Sequence, residues 1–289
     1  MKIKSSLGDK IFNICNITIL TLVSLLTLYP FWDSLVVSLS PLHVYLANPI
    51  LLWPREISFE AYRFILGLDE LWRSYANSIF RTVVGTAINM FVTTMAAYVL
   101  SKRDLPGQRI IMFLIIFTMM FSGGLIPTFL IVRALGIMNT QWALIWPVTV
   151  ITFHLIILRN FFSGLPAEIE ESAMIDGCTE IGILYKIVLP VSKPAIVTIA
   201  LFYAVFHWND FFMAVLYITS RDEWPLQLFL RSLLFEDEAV LLGGGETLFL
   251  LGQPMKMATV MVAVIPIMCV FPFFQKHFIQ GTMVGAVKG

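Results

Sequence analysis

Charged residues are scarce in this chain: they make up 13% of its 289 residues, while 58% are hydrophobic. A soluble domain of this size carries about a quarter charged residues, because its surface must face water. The shortage excludes an ordinary soluble globular protein and indicates a polytopic membrane protein whose outer surface meets lipid. The formal net charge is +0, so the composition does not favour nucleic acid as a partner.

Cysteine is also rare, and the three cysteines are Cys15, Cys178 and Cys269. The first and last lie within apolar runs, so neither a disulfide framework nor a metal site is expected. The chain has no G-x4-G-K-[ST] run to bind nucleotide phosphates and no H-E-x-x-H pair for zinc. We therefore expect no catalytic residue, no cofactor in this chain and no enzymatic activity.

Six apolar runs are each long enough to cross the hydrocarbon core, which needs about 20 residues of helix. They lie at roughly 11–37, 75–100, 109–132, 140–162, 194–219 and 254–275. Because a membrane span must satisfy its own backbone hydrogen bonds, the predicted fold class is all-α. We expect a single transmembrane domain over residues 1–289, with two outer segments at about 38–74 and 220–253.

Basic residues are unevenly divided between the two sides of this arrangement. The side that holds the N-terminus has an excess of Lys and Arg over Asp and Glu, and the opposite side has an excess of acidic residues. Short cytoplasmic loops are enriched in Lys and Arg. Both termini, and the loop between the fourth and fifth runs, are therefore predicted to be cytoplasmic.

That loop, at about 163–193, is a polar insertion between two long apolar runs. Pro166 suits the first turn of a helix, and the acidic residues that follow lie near the positive end of its dipole. Gly177 is expected to end this helix in a left-handed conformation, and Thr179 to cap a second short helix. The predicted product is a helix–turn–helix elbow. On pattern alone, it is either a docking site for another protein or an amphipathic connector.

The fifth apolar run contains polar residues, and an intramembrane charge costs about 2.5–3.5 kcal/mol on insertion scales. Tyr203, His207 and Asp210 follow helical spacing on one face, and Trp208 and Asn209 flank it. Aromatic faces with amide and carboxylate acceptors suit sugars, so these five residues are candidates for the translocation path and substrate contact. The alternative is that His207 pairs with Asp210 one turn away and stiffens helix packing.

Two weaker features concern helix packing. Asn89 and Thr93 form an i, i+4 polar pair in the second run, for which interhelical hydrogen bonding is the favoured interpretation. Gly123 and Gly124, with Pro127, interrupt the third run, as either a hinge or a close helix crossing would require.

Five blocks, in order, resemble the permeases of bacterial ABC importers. The segment EIEESAMIDGCTEIGILYKIVLPVSKP is similar to their EAA loop, with Ser172 in place of the usual first alanine. The segment NSIFRTVVGTAINMFVTTMAAYVLSKRDLPGQ resembles their second-span signature, and HWNDFF resembles the W-N-D motif of the carbohydrate branch, the MalG type. The segments FSGGLIPTFLIVRALGIMNT and FPFFQKHFIQGTMVGAVKG are similar to the LplC and YtcP subgroup, which is linked to oligosaccharides that are often acidic.

The resemblance implies a type I ABC importer permease fold with six transmembrane helices and a cytoplasmic coupling helix, in the bacterial cytoplasmic (inner) membrane. It implies oligosaccharide uptake, with an alginate-type uronate as one candidate substrate. A second, MalF-like permease would complete the pore, two ATPase subunits carrying ATP and Mg would dock inside, and a solute-binding protein would dock outside. The alternative is a secondary transporter driven by an ion gradient, although no obvious internal repeat supports it.

The resemblance also assigns residues in the loop to contact with the ATPase. The implied coupling residues are Glu168, Glu171, Ala173, Asp176, Gly177 and Pro190.

Overall fold

The computed structural model describes residues 7–48, 50–102, 104–121, 123–235, 252–269 and 272. All regular secondary structure in these ranges is helical, which confirms the all-α prediction. The described residues form two compact units, one of residues 7–68 with 230–235 and 252–265, the other of residues 69–229 with the described residues after 265. The expectation of a single domain stays a prediction.

The helices, numbered in chain order, range in length from 3 to 33 residues. They are α1 (Leu7–Ser38), α2 (Leu42–Ala47), α3 (Glu60–Leu66), α4 (Asp69–Ser101), α5 (Gln108–Met120), α6 (Leu125–Ala134), α7 (Trp142–Ile145), α8 (Thr152–Ser163), α9 (Ala167–Ile175), α10 (Glu180–Ile183), α11 (Leu189–Val191), α12 (Lys193–Asn209), α13 (Phe212–Tyr217), α14 (Leu226–Phe235) and α15 (Gly252–Cys269). Short 3₁₀ turns lie at Trp146–Val148 and Arg221–Glu223, and a π-helical turn lies at Leu184–Val188.

Three helices are long and apolar enough to cross a membrane unaided: α1, α4 and α15. The third and fourth apolar runs are pairs of helical segments joined at a bend. A further bent pair joins residues 180–191 of the elbow to α12, so the described residues offer up to six spans. The third run breaks between α5 and α6, where Gly124 has φ +87°, which confirms the predicted interruption. The end of the sixth run beyond residue 269, and residues 236–251 of the second outer segment, lie outside the described residues except for residue 272.

The fifth run is not the continuous helix that its hydropathy predicts. α12 ends at Asn209, Asp210 is extended (φ −74°, ψ 118°), and α13 starts at Phe212. Asp210 causes the break, because its Oδ1 accepts the N–H of Met213 at 3.2 Å while its own carbonyl oxygen accepts a side-chain donor from α4. Asp210 therefore ends α12 and does not continue the helical face of Tyr203 and His207, contrary to the prediction.

The second unit is organised around α4, which packs against α12 and α8. One stripe of α4 is buried, and its spacing of three to four residues is that of one helical face. The members of this stripe are Leu71, Ser74, Ser78, Arg81, Gly85, Asn89, Thr93 and Ala97. Most are small or polar, while large apolar side chains such as Val83 and Phe91 are exposed. This distribution is typical of membrane helices, which pack through small residues and interhelical hydrogen bonds.

Candidate functional site

The elbow, residues 163–193, is a helical corner that begins with α9. Pro166 precedes α9 as expected, and the helix ends at a left-handed Gly177 with φ +80°. The N–H of Cys178 donates to the carbonyl of Ala173 at 2.9 Å, and the N–H of Gly177 donates to that of Met174 at 3.0 Å. This pair of bonds is a Schellman motif, which requires the φ value that glycine adopts most readily. The predicted role of Gly177 in ending the helix is confirmed.

The two faces of α9 differ sharply. Ala173 is buried in a cluster that includes Leu158 and Phe162 of α8 and Ile183 of α10. In contrast, Ile175 is 87% exposed. The acidic coupling candidates Glu168, Glu171 and Asp176, and also Gly177, are exposed as well. Ala173 thus packs α9 against α8 and α10 of the same chain, and the opposite face of α9 is available for another protein.

The second half of the elbow turns the chain into α12. Thr179 Oγ1 accepts the N–H of Gly182 at 3.2 Å, so the predicted cap of α10 is confirmed. A π-helical turn follows at Leu184–Val188, and the exposed Pro190 lies in α11 immediately after it. The axis of residues 180–191 meets α12 at 84°. Such turns contain one extra residue and often occur at functional sites.

A cluster that sequence reasoning missed connects the elbow to the end of α4. The Lys102 ammonium forms an ion pair with Glu170 of α9 and lies 3.7 Å from Glu180 Oε2 at the start of α10. Tyr98 of α4 donates to Glu180 Oε2 at 3.0 Å, and Lys102 Nζ lies 4.3 Å from the centroid of its ring. Burial lowers the pKa of Lys102, but its hydrogen bonds with Glu170 and Tyr98 outweigh burial, so the pKa is raised and the ammonium stays charged.

Tyr203 is fully buried between α4 and the start of α8. Its hydroxyl shares a 2.8 Å hydrogen bond with Thr93 of α4 and accepts the N–H of Ile151 at 3.0 Å. Asn89, one turn from Thr93, donates to the carbonyl of Val148 at 2.6 Å. The interhelical hydrogen bonding predicted for the Asn89–Thr93 pair is therefore confirmed.

His207 is also buried, and its partner is on α4. Its Nε2 lies 3.3 Å from Asn89 Oδ1. Gly85 allows this approach, since a Cβ at that position would lie 2.6 Å from the same Nε2. The alternative that His207 pairs with Asp210 is wrong, because Asp210 forms its ion pair with a different residue of α4.

That residue is Arg81, which belongs to the buried stripe of α4 and whose side chain is completely buried. Its Nη2 donates to Asp210 Oδ2 at 2.5 Å and its Nη1 to the Asp210 carbonyl oxygen at 3.1 Å. The Asp210 side chain is 11% exposed. Charged residues inside a membrane are usually paired with each other. Arg81 is the one charged residue in run 75–100, and its presence could have indicated an intramembrane ion pair from the sequence.

The remaining two path candidates are more accessible. Asn209 is exposed, and its amide donates to the carbonyl of Val205 at 2.9 Å. The ring of Trp208 is 6.4 Å from that of Tyr75, which is 5.9 Å from the exposed Trp72. Trp208 Nε1 has no acceptor among the described residues. An aromatic row therefore leads from the start of α4 to the end of α12.

Among the described residues, no group of three or more His, Cys, Asp or Glu side chains converges. The arrangement consists of a polar, buried helix interface and an exposed elbow.

Comparison with known proteins agrees with this geometry. A family model described as "Binding-protein-dependent transport system inner membrane component" matches residues 89–284. The polygalacturonan/rhamnogalacturonan transport system permease protein YtcP of Bacillus subtilis is 43% identical over 97% of this chain and 99% of its own length. Protein LplC of the same organism is 43% identical over 98% of this chain and 96% of its own length.

A solved structure also matches closely. It is described as a bacterial ABC transporter involved in the import of the acidic polysaccharide alginate, and one of its chains has a TM-score of 0.86 and 32% sequence identity. The match covers 96% of this chain and all of that chain. The helical membrane fold and the elbow thus define a type I ABC importer permease.

The chain belongs to the family of binding-protein-dependent transport system inner membrane components. Members are the permease subunits of ABC transporters and are not enzymes themselves. The chain is therefore an inner-membrane permease that works with an ATPase and a substrate-binding protein, and a secondary transporter is excluded.

Proposed function

We propose that this chain is one of two permease subunits of an oligosaccharide importer, and that the second is a different, MalF-like chain. Together they form the translocation pore. Two ATPase subunits bind the elbows from the cytoplasm, where both termini also lie, and a solute-binding protein delivers substrate on the outer side. The exposed face of α9 is the observation that carries this proposal.

That face combines an apolar anchor with carboxylates. Ile175 is 87% exposed at the last turn of α9, next to the 45% exposed Met174, and Glu168, Glu171 and Asp176 are exposed on the same segment. Exposed apolar side chains with charged neighbours resemble the anchor of a protein interface, where a side chain fills a pocket and polar groups form the rim. We assign these residues and Gly177 to ATPase contact. The buried Ala173 supports the contact by fixing the position of α9, and Pro190 supports it by fixing the angle of the corner.

The substrate path is proposed to follow the end of α12. Trp208, Asn209 and the aromatic row that includes Trp72 and Tyr75 offer ring faces and an amide, which suit pyranose rings and their hydroxyls. The buried Tyr203, His207 and Asp210 shape this path by holding α12 against α4.

Acidic oligosaccharides are the proposed substrate class, and uronate oligomers are its best candidates. One relative at 43% identity transports polygalacturonan and rhamnogalacturonan, and the structural neighbour imports alginate, an acidic polysaccharide. Both polymers carry carboxylates on the sugar ring. Other relatives take neutral arabinooligosaccharides at 28–29% identity, a weaker match.

The test is reconstitution of the whole assembly in liposomes, with oligogalacturonides, alginate oligomers and arabino-oligosaccharides each added with the binding protein. We expect oligogalacturonides or alginate oligomers to stimulate ATP hydrolysis and to accumulate inside only when ATP is present. Stimulation by arabino-oligosaccharides alone would refute the acidic class. Uptake that continues without ATP would refute an ATP-driven importer.

A second arm tests the docking face directly. Ile175→Cys on α9 is expected to crosslink to the ATPase in a background without native cysteines. Ile79→Cys, on an exposed position of α4, is the matched control and should not crosslink. The same yield at both positions would refute docking on α9.

A further inference from the structure

A polar attachment of the elbow to the end of α4, at Lys102, is sheltered from solvent. The Lys102 latch consists of Tyr98, Lys102, Glu170 and Glu180. Its central ion pair joins α9 to the residue that directly follows α4. The Lys102 and Glu170 side chains are 22% and 19% exposed, so water screens their attraction poorly.

Another ion pair of the chain shows the contrast. Arg73 and Asp222 lie 2.6 Å apart, but their side chains are 61% and 72% exposed. Exposed pairs contribute about 0–1 kcal/mol, because solvent and side-chain entropy offset the Coulomb attraction. The Arg73–Asp222 pair therefore serves as an internal control for the loss of one cation.

The main chain next to Lys102 is held by hydrogen bonds from three side chains on two helices. The Leu100 carbonyl accepts from Gln108 Nε2 at 2.7 Å and from Arg159 Nε at 3.0 Å. The Lys102 carbonyl accepts from Gln108 at 2.9 Å, and the Ser101 carbonyl accepts from Ser163 Oγ at 3.3 Å. The last carbonyls of α4 are thus satisfied by α5 and α8, as a helix end requires. Lys102 projects from a fixed point, so its side chain can hold α9 in register with α4.

We propose that Lys102 is a positioning residue that fastens α9 to the end of α4, so that displacement of α9 by the ATPase moves α4 as well as α12. This inference rests on the proposed function. Without the latch, α9 still reaches α12 through the 84° corner, and Ala173 still packs in the apolar cluster that includes Ala97 and Leu100 of α4. The polar fastening between α9 and the end of α4 is what is lost. The expected defect is poor coupling, in which ATP is hydrolysed with less transport, rather than loss of assembly.

The experiment uses the complete reconstituted importer and measures ATP hydrolysed per oligosaccharide transported, with the oligogalacturonide or alginate oligomer that stimulates the wild type. Lys102→Met removes the charge and keeps most of the side chain's apolar volume. We expect the ratio of ATP to transport to rise about fivefold or more, the low end of typical coupling between sites. Lys102→Arg keeps the charge, so its ratio of ATP to transport is expected to stay within about twofold of the wild-type ratio, which corresponds to roughly 0.4 kcal/mol. Arg73→Met, the control, should leave the ratio unchanged.

Two further variants separate positioning from general stability. Lys102→Glu with Glu170→Lys reverses the pair and should recover coupling that Lys102→Glu alone loses. In a background with all three cysteines replaced by alanine, Lys102→Cys and Glu170→Cys joined by a short bifunctional thiol reagent should also restore coupling. A merely structural loss would lower the yield of folded assembly and would not respond to the crosslink.

The outcomes are distinguishable. If the wild-type assembly shows no ATP-dependent uptake, the proposed function fails. If wild-type uptake is normal and Lys102→Met has wild-type coupling, the latch is refuted while the proposed function stands. If Arg73→Met uncouples as strongly as Lys102→Met, a special role of Lys102 is refuted.

Discussion

Replacing Asp210 by Asn removes the charged partner of a guanidinium that is completely buried. Arg81 keeps its bond to the Asp210 carbonyl but loses the 2.5 Å ion pair with Oδ2. Removing one member of a buried pair typically costs about 3–5 kcal/mol, and an Arg near the centre of a span costs about 2.5–3.5 kcal/mol on insertion scales. We therefore expect Asp210→Asn to lower the free energy of unfolding by about 3 kcal/mol.

A double-mutant cycle makes the prediction specific to the pair. Arg81→Met alone leaves a carboxylate that is still 11% exposed, and the double variant leaves no buried charge at all. Because apolar replacements of buried pairs are often neutral, the double variant should unfold within about 1 kcal/mol of wild type. Equilibrium unfolding of the purified chain in mixed micelles with increasing SDS measures all four proteins.

The same cycle on Arg73 and Asp222 is the matched control. That pair is largely exposed and is expected to yield less than about 1 kcal/mol of interaction energy. Additive effects of Arg81→Met and Asp210→Asn would refute the reasoning. So would an Asp210→Asn variant as stable as wild type, because the buried charge would then have found another partner.

Three other predictions follow from contacts around the elbow and α12. Gly85→Ala should destabilise the chain by about 1–3 kcal/mol, because the new Cβ would lie 2.6 Å from His207 Nε2; removing the ring as well, in Gly85→Ala with His207→Ala, should recover part of that loss in the same unfolding assay. Gly177→Ala should lower the free energy of unfolding by about 1–2 kcal/mol through its left-handed φ alone, since nothing lies within 4 Å of the added Cβ. Substrate-stimulated ATPase activity should also fall, and full stimulation would contradict a role of the Schellman motif in coupling. Trp208→Ala should raise the KM for oligosaccharide uptake several-fold, because an aromatic contact of about 0.5–1.5 kcal/mol is lost. An unchanged KM would remove Trp208 from the path, and Trp146→Ala is the control that should leave the KM unchanged.

Local features were predictable because their causes are local. Gly177 and Thr179 act on N–H and C=O groups within a few residues, so their cap geometry follows from residue type and position. The six apolar runs likewise report hydropathy, which is a property of a short window. Of the elements that these arguments predicted, the first two spans and the elbow are found where expected.

The interhelical partners were not predictable in the same way. Arg81 and Asp210 are 129 residues apart, and Lys102 and Glu170 are 68 apart, so neither spacing nor periodicity connects them. The break after Asn209 was missed for a related reason. Its cause includes a side chain on α4 that binds the Asp210 carbonyl, whereas the mean hydropathy of the run favours one helix.

The polar stripe on α4 illustrates how solvent changes the interpretation of a helix. In water, the buried face would be identified by its large apolar residues, and Val83 or Phe91 would be assigned to the core. In this chain they are exposed, and Ser78, Gly85 and Asn89 are buried. The correct rule for a span is that small and polar residues mark the packed face.

The π-helical turn at Leu184–Val188 affects which mutations this chain tolerates. One additional residue is accommodated there, so the side chains of α11 are rotated relative to an uninterrupted α-helix. Deleting a single residue from this turn would rotate α11 by about 100° about its axis and redirect the chain at the 84° corner where α12 begins. Sequences of this type should accept substitutions in the turn while conserving its length.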